Sequence, residues 1–245
     1  MDNIEKPYVI GLDLGGTNSV FGIVDARGEI KGSTAIKTQA YPDVNDYVQA
    51  GVDAMQPIID IVGGIDKIKG MGIGAPNGNF YSGAIENAAN LLWKGIVPLA
   101  KMFEEKLGVP VALTNDANAA AIGEMTYGVA RGMKDFIMIT LGTGVGSGIV
   151  INGQLVYGSD GFAGELGHVT MDRNPNSRLC GCGKHGCLET FCSATGVART
   201  AREMLEKTDR PSLLREIPLK DITSLDVSVA AEKGDEMAKE IYNFT

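Results

Sequence analysis

Cys180, Cys182 and Cys187 stand in the run CGCGKHGC, and three thiolates at that spacing need one further donor to complete a tetrahedral Zn²⁺ site. The chain has two histidines. His185 falls inside the short loop between Cys182 and Cys187, where reaching the same ion is geometrically tight, so His168 is the expected fourth ligand. A Cys₃His set has no open coordination position, which makes the expected zinc structural rather than Lewis-acidic. All four cysteines lie between Cys180 and Cys192. That clustering indicates metal in a reducing compartment, not cross-links between distant segments, and Cys192 reads as a small buried thiol.

Two further segments carry glycines where backbone N–H groups could approach a phosphate closely. The first, VIGLDLGGTNSVFGIVDARGEI from Val9, offers Asp13 at a strand end, then Gly15, Gly16, Thr17 and Asn18. The second, FIMITLGTGVGSGIVINGQLV from Phe136, offers Gly142, Thr143 and Gly144. At a constant offset of 127 residues Gly15 meets Gly142 and Ile23 meets Val150, a repeated hairpin that argues for two related halves. Thr17 and Thr143 could donate hydroxyls to phosphate, and Asp13 could reach Mg²⁺ directly or through water. There is no GxxxxGK[ST], and the second loop joins strand to strand, so P-loop and Rossmann readings drop out.

The elements that must position these groups follow from periodicity. Val44, Tyr47, Val48, Val52, Met55, Ile58 and Ile59 share one face of a helix. A strand around MGIGAP follows, then an irregular glycine- and asparagine-rich loop to Trp93, long enough to read as a binding loop. A helix near LAKMFEEKLG, the short strand VPVALTND and a helix from Asn118 come next, an alternation that predicts an α/β domain. The expected division is an N-terminal α/β domain over 1–118 and a C-terminal one over 119–245. The last segment, VSVAAEKGDEMAKEIYNF, reads as a helix entrance and an amphipathic helix.

Asn115 and Asp116 end an apolar strand just before an alanine-rich helix, a position that suits a helix cap. With DLGGTN, TNDANAAAIGE, LGTGVGSG, GELGH and CGCGKHGCLE in that order, the stretch from Tyr8 to Gly196 resembles the ROK family of bacterial glucokinases, other hexose and N-acetylhexosamine kinases and sugar-responsive repressors. The resemblance implies an α/β, actin/hexokinase-like (ribonuclease H-like) two-domain fold, with ATP and sugar meeting in a cleft between the domains. It makes Asp116 the base that accepts the sugar hydroxyl proton and assigns Asn115, Glu165 and Glu189 to sugar hydroxyls. His168, with one ring nitrogen on zinc, could donate from the other to the sugar. Asn77 and Asn90 are candidate sugar contacts in the long loop, and Trp93 reads as packing.

The expected activity is therefore ATP- and Mg²⁺-dependent phosphorylation of a hexose at its 6-hydroxyl, glucose first, with N-acetylhexosamine, mannose or fructose as the alternative substrates. A sugar-sensing repressor is the alternative of another class. Repressors of the family carry a helix-turn-helix ahead of the first phosphate loop, which here begins at Asp13. The resemblance also implies further chain after Thr245, a glycine-rich segment against adenosine and a helix crossing back to the first domain, so that the C-terminal domain is expected to be incomplete. A net charge of −8 and no basic cluster disfavour nucleic acid. No apolar run approaches a membrane span and the start MDNIEKP lacks a signal core, so a cytoplasmic protein is expected, as a homo-oligomer (dimer or tetramer).

Overall fold

The computed structural model of the chain describes residues 5–245. They divide into two compact units, one of residues up to 138 with 148–164, the other of 139–147 with 165–245. The first unit thus continues past residue 118, which lies inside a helix over Asp116–Thr126.

The first unit is built on five strands, β1 (Tyr8–Leu14), β2 (Asn18–Asp25), β3 (Ile30–Lys37), β4 (Ile68–Ala75) and, after three short strands, β8 (Val111–Asn115). Their order is β3-β2-β1-β4-β8. The hairpins β1–β2 and β2–β3 are antiparallel, whereas β1, β4 and β8 run parallel, with Asp13 opposite Gly74 and Ala75 opposite Asn115. Helix α1 (Val44–Ile61), capped by the Asp43 carboxylate on the Asn45 N–H at 2.7 Å, and helix α2 (Leu99–Leu107) cross one face of this sheet. They bury Leu12, Phe21, Tyr47, Met55 and Phe103 there, each of which stabilises the unit by about 1.5–3 kcal/mol relative to exposure.

The segment expected to be an irregular loop contains a small sheet, β5 (Gly78–Asn79), β6 (Ala84–Glu86) and β7 (Ile96–Val97). Strands of two or three residues are too short to show alternation, which is why the pattern reads as loop. Trp93 is buried, and its Nε1–H donates to the Tyr41 carbonyl at 3.0 Å. Helix α3 (Asp116–Thr126) lies on the other face of the five-stranded sheet and leaves part of that face open.

The second glycine hairpin comprises β9 (Phe136–Leu141) and β10 (Val145–Ile151), followed by β11 (Gln154–Leu155). Its strands end at Leu141 and restart at Val145, the same offset from Leu14 and Asn18 that the sequence repeat has. In the second unit α4 (Glu189–Cys192) leads into α5 (Ala194–Glu206), which packs with α6 (Ser224–Glu232) and α7 (Glu236–Phe244) around Val197, Leu205, Val227 and Ile241. The final segment is thus two helices rather than one, separated by Lys233–Gly234–Asp235. Thr223 and Asp226 form a reciprocal capping box on α6, and the Asp235 carboxylate caps α7 through the Ala238 N–H. Among the described residues no helix is long and apolar enough to cross a membrane.

Candidate functional site

The parallel strands β1, β4 and β8 bring their C-terminal ends to one edge of the sheet, which is where open α/β sheets bind ligands. Asp13 and Asp116 both line a groove of about 1110 Å³ that runs over the open face of the sheet as far as this edge, and both are exposed. Alternation along β1 explains Asp13: Ile10, Leu12 and Leu14 point into the core, so Asp13 must point away from it. Asn115 caps α3 by accepting the Ala117 N–H at 2.9 Å, and Asp116 Oδ1 accepts the same N–H at 2.8 Å. The cap leaves the second carboxylate oxygen of Asp116 at the positive end of a helix, a favourable place for an anion. Thr17 and Asn18 are exposed at the first glycine turn, and an added Cβ on Gly16 would lie 3.1 Å from the Asn90 carbonyl, so that loop closes tightly on the turn.

Asn77 and Asn90 are exposed but do not line the groove. Asn77 has a left-handed backbone, with φ of 51°, and its side-chain amide donates to the Glu86 carbonyl at 3.0 Å, the behaviour of a turn residue. What does line the groove is an aromatic pair that the sequence does not reveal: Phe80 and Tyr157 stack with centroids 4.2 Å apart and planes 9° from parallel. Burial raises the Tyr157 pKa. The two are far apart in sequence and no spacing pattern pairs them.

In the second unit, the Glu189 carboxylate accepts the Val145 N–H at 2.9 Å, directly after the second glycine turn. Its other oxygen lies 3.8 Å from the Cys180 thiol. The same turn is held from α5: the Ala194 N–H donates to the Gly142 carbonyl at 2.9 Å and the Thr195 hydroxyl to the Thr143 carbonyl at 2.9 Å. Glu165 is exposed, with a carboxylate oxygen 3.9 Å from His168 Nε2.

His168, Cys180, Cys182 and Cys187 place one donor atom each within 4.8 Å of one another. Cys182 and Cys187 sulfurs are 3.7 Å apart, and Cys180 Sγ is 3.5 Å from His168 Nδ1. Tetrahedral Zn²⁺ with Zn–S of about 2.3 Å and Zn–N of about 2.0 Å requires edges of roughly 3.8 and 3.5 Å, so these donors fit that ion. Burial pushes the Cys180 thiol up to about 12 and raises Cys187 as well. At Cys182 burial acts in the same sense, but the Lys184 backbone N–H and the two neighbouring thiols outweigh it and lower the pKa. His185 stands apart, with Nδ1 2.7 Å from the Ser177 carbonyl. Cys192 is half-buried, not fully buried as its small size suggested.

A five-stranded mixed sheet, a second glycine hairpin at the offset of the sequence repeat and carboxylates at strand ends define the actin/hexokinase-like class of α/β proteins. Within it the chain belongs to the ROK family, whose family model matches residues 9–245. It is 38% identical over 238 residues to a glucokinase of Halalkalibacterium halodurans, covering 94% of this chain and 70% of that one. To a glucokinase of Streptomyces coelicolor it is 36% identical over 240 residues, 95% of this chain and 72% of the relative. Among solved structures, a ROK family glucokinase from Streptomyces griseus in complex with glucose and AMPPNP superposes with a TM-score of 0.75 at 34% identity, over 96% of this chain and 74% of that one.

Proposed function

We propose that the chain is an ATP-dependent hexose kinase, glucose its first substrate, that transfers the γ-phosphoryl group to the sugar 6-hydroxyl. The observation that carries this reading is Asp116: an exposed carboxylate at a strand tip and helix N-terminus, sharing a groove with the Asp13 end of the first glycine turn, in a chain similar to glucokinases along nearly its whole length. As the sugar oxygen bonds to the γ-phosphorus, Asp116 takes the hydroxyl proton, the bond to the β-phosphate oxygen breaks, and ADP leaves with that electron pair. Asp13 would hold Mg²⁺ directly or through water, and the ion would supply charge neutralisation at the phosphates. The N–H groups of the turns Gly15–Asn18 and Gly142–Gly144, with the Thr17 and Thr143 hydroxyls, bind phosphate oxygens.

We assign Asn115, Glu165, His168 and Glu189 to the sugar hydroxyls, and Asn77 and Asn90 to loop contacts of the same substrate. Glu189 can serve both the sugar and Val145, because a carboxylate has about four acceptor positions. Zn²⁺ on His168, Cys180, Cys182 and Cys187 would be structural and would fix the ring that faces the sugar. The net charge of −8 fits a cytoplasmic enzyme. A coupled ADP-release assay over glucose, mannose, fructose and N-acetylhexosamines tests the proposal. Glucose-dependent ADP release is the expected result. Sugar binding with no turnover of ATP in any arm would favour the sugar-sensing alternative instead.

A further inference from the structure

The first glycine turn is held from beneath by three buried hydroxyls that the sequence pattern gives no reason to connect. The Tyr47 hydroxyl on α1 donates to Ser19 Oγ at 2.8 Å, Ser19 Oγ lies 2.8 Å from Thr38 Oγ1, and Thr38 Oγ1 donates to the Gly15 carbonyl at 2.8 Å. A carbonyl only accepts, so the Thr38 proton is committed to Gly15 and Ser19 must donate to Thr38. Every hydroxyl therefore gives its one proton in the same direction, from Tyr47 through Ser19 and Thr38 to the turn. Tyr47 and Ser19 are fully buried and Thr38 nearly so, so no solvent competes for these bonds. Burial also raises the Tyr47 pKa, with the Ser19 bond opposing, and this keeps the hydroxyl a proton donor.

The orientation of the turn follows from peptide planarity. In a trans peptide the C=O of one residue and the N–H of the next point in opposite directions. Drawing the Gly15 carbonyl inward to Thr38 therefore turns the Gly16 N–H outward, as a phosphate-binding turn requires. The Thr38 backbone N–H adds a second inward tie, to the Thr17 carbonyl at 2.9 Å. The second hairpin independently has the same arrangement: Gly142, the counterpart of Gly15, has its carbonyl held by the Ala194 N–H at 2.9 Å. Two turns with unrelated supports share the feature that their first glycine carbonyl is drawn inward.

We infer that Tyr47, Ser19 and Thr38 are positioning residues for nucleotide binding, forming a buried one-way hydrogen-bond relay that aims the N–H groups of the first glycine turn at a nucleotide phosphate. The inference rests on the kinase reading above and goes beyond it by assigning phosphate affinity to residues that touch neither ligand. Thr38→Val keeps the volume and removes the proton that reaches Gly15. Its Kd for MgADP, measured by isothermal titration calorimetry, should rise about tenfold, as loss of a buried hydrogen bond at the turn predicts, while Kd for glucose stays within about twofold. Thr38→Ser restores the hydroxyl and should bring MgADP affinity back to within about twofold of the parent. Tyr47→Phe keeps the ring against Trp93, 4.5 Å between centroids, and should weaken MgADP binding about threefold; it serves as the test if Thr38→Val fails to fold. Unchanged MgADP affinity in the folded variants would overturn the inference alone, as would equal weakening of glucose and MgADP with no recovery in Thr38→Ser. A parent protein that binds no MgADP would overturn both the inference and the kinase reading.

Discussion

Glu189 and Val145 are 44 positions apart in the chain and joined by one hydrogen bond, from the Val145 N–H to the Glu189 carboxylate at 2.9 Å. The bond ties the second glycine turn to the helix that follows the cysteine cluster, so a residue proposed for the sugar also shapes the turn proposed for phosphate. Gly144 makes room for it: a Cβ there would lie 2.4 Å from Glu189 Oε2, and the movable group is the end of a flexible side chain. Gly144→Ala should therefore fold but displace the carboxylate, lowering kcat/KM by about 10- to 100-fold, as misplacement of a positioning group by about an ångström does. The thermal midpoint should fall by no more than about 4 °C, equivalent to roughly 1–2 kcal/mol in a chain of this size. Steady-state kinetics and a thermal melt check it, and parental kcat/KM would show that the Glu189–Val145 bond is dispensable.

Asp116→Asn separates a base from a helix cap. Asparagine keeps the size and one acceptor for the Ala117 N–H, so α3 should remain capped, principally by Asn115. It cannot take the sugar proton, so kcat should fall by at least about two orders of magnitude with glucose affinity within about tenfold. A near-parental kcat would place proton removal elsewhere.

The parts of this molecule that were legible in the sequence are those whose signal is local. The glycine turns between aliphatic runs locate both hairpins, and the strand ends at Leu14 and Leu141, Asn18 and Val145 keep the register of the repeat. The cysteine spacing likewise points to the residues whose donor atoms converge. What escaped is made by pairing across the fold. Tyr47 is counted among apolar residues on a helix face, and nothing in that face reveals a hydroxyl donating to Ser19. Phe80 and Tyr157 stack only because the short strand at Gly78 and the segment after β11 meet, through bonds such as Tyr81 hydroxyl to Gly158 carbonyl at 2.9 Å. Arg178 belongs to a residue type that is mostly exposed, yet it is 8% exposed here.

Purified protein should carry about one zinc per chain, releasable by a strong chelator with a drop in thermal midpoint, because a structural ion contributes its binding free energy to the fold of the loop. Cys182 is the exposed member of the cluster, so Cys182→Ser changes a ligand with little disturbance of packing. It should lose the metal and weaken glucose binding through His168. Elemental analysis showing no zinc in folded parent protein that binds glucose would overturn the assignment.

Arg178 anchors the start of the cysteine loop, and this anchor should be visible in the acid limb of stability. Its guanidinium donates to the Thr190 carbonyl and to Glu203, each at 2.7 Å, and lies 4.7 Å from the centre of the Phe191 ring. Burial opposes ionisation of Glu203, but the bonds from Arg178 and Arg199 outweigh it and lower its pKa from the ordinary carboxylate value. A carboxylate with a lowered folded-state pKa contributes stability that is present above its unfolded pKa and lost as pH falls through the folded value. The parent should thus exceed Glu203→Gln in thermal midpoint near neutrality, with the gap closing as pH falls below about 4.5. Metal release at acid pH is common to both proteins, so the difference between them isolates the ion pair. Arg178→Met should cost about 2–3 kcal/mol at pH 7, less than a fully buried pair because Glu203 is about one-third exposed. Melting curves of the three proteins between neutral and acid pH decide it: a constant offset between parent and Glu203→Gln would mean that packing, not charge, accounts for the effect.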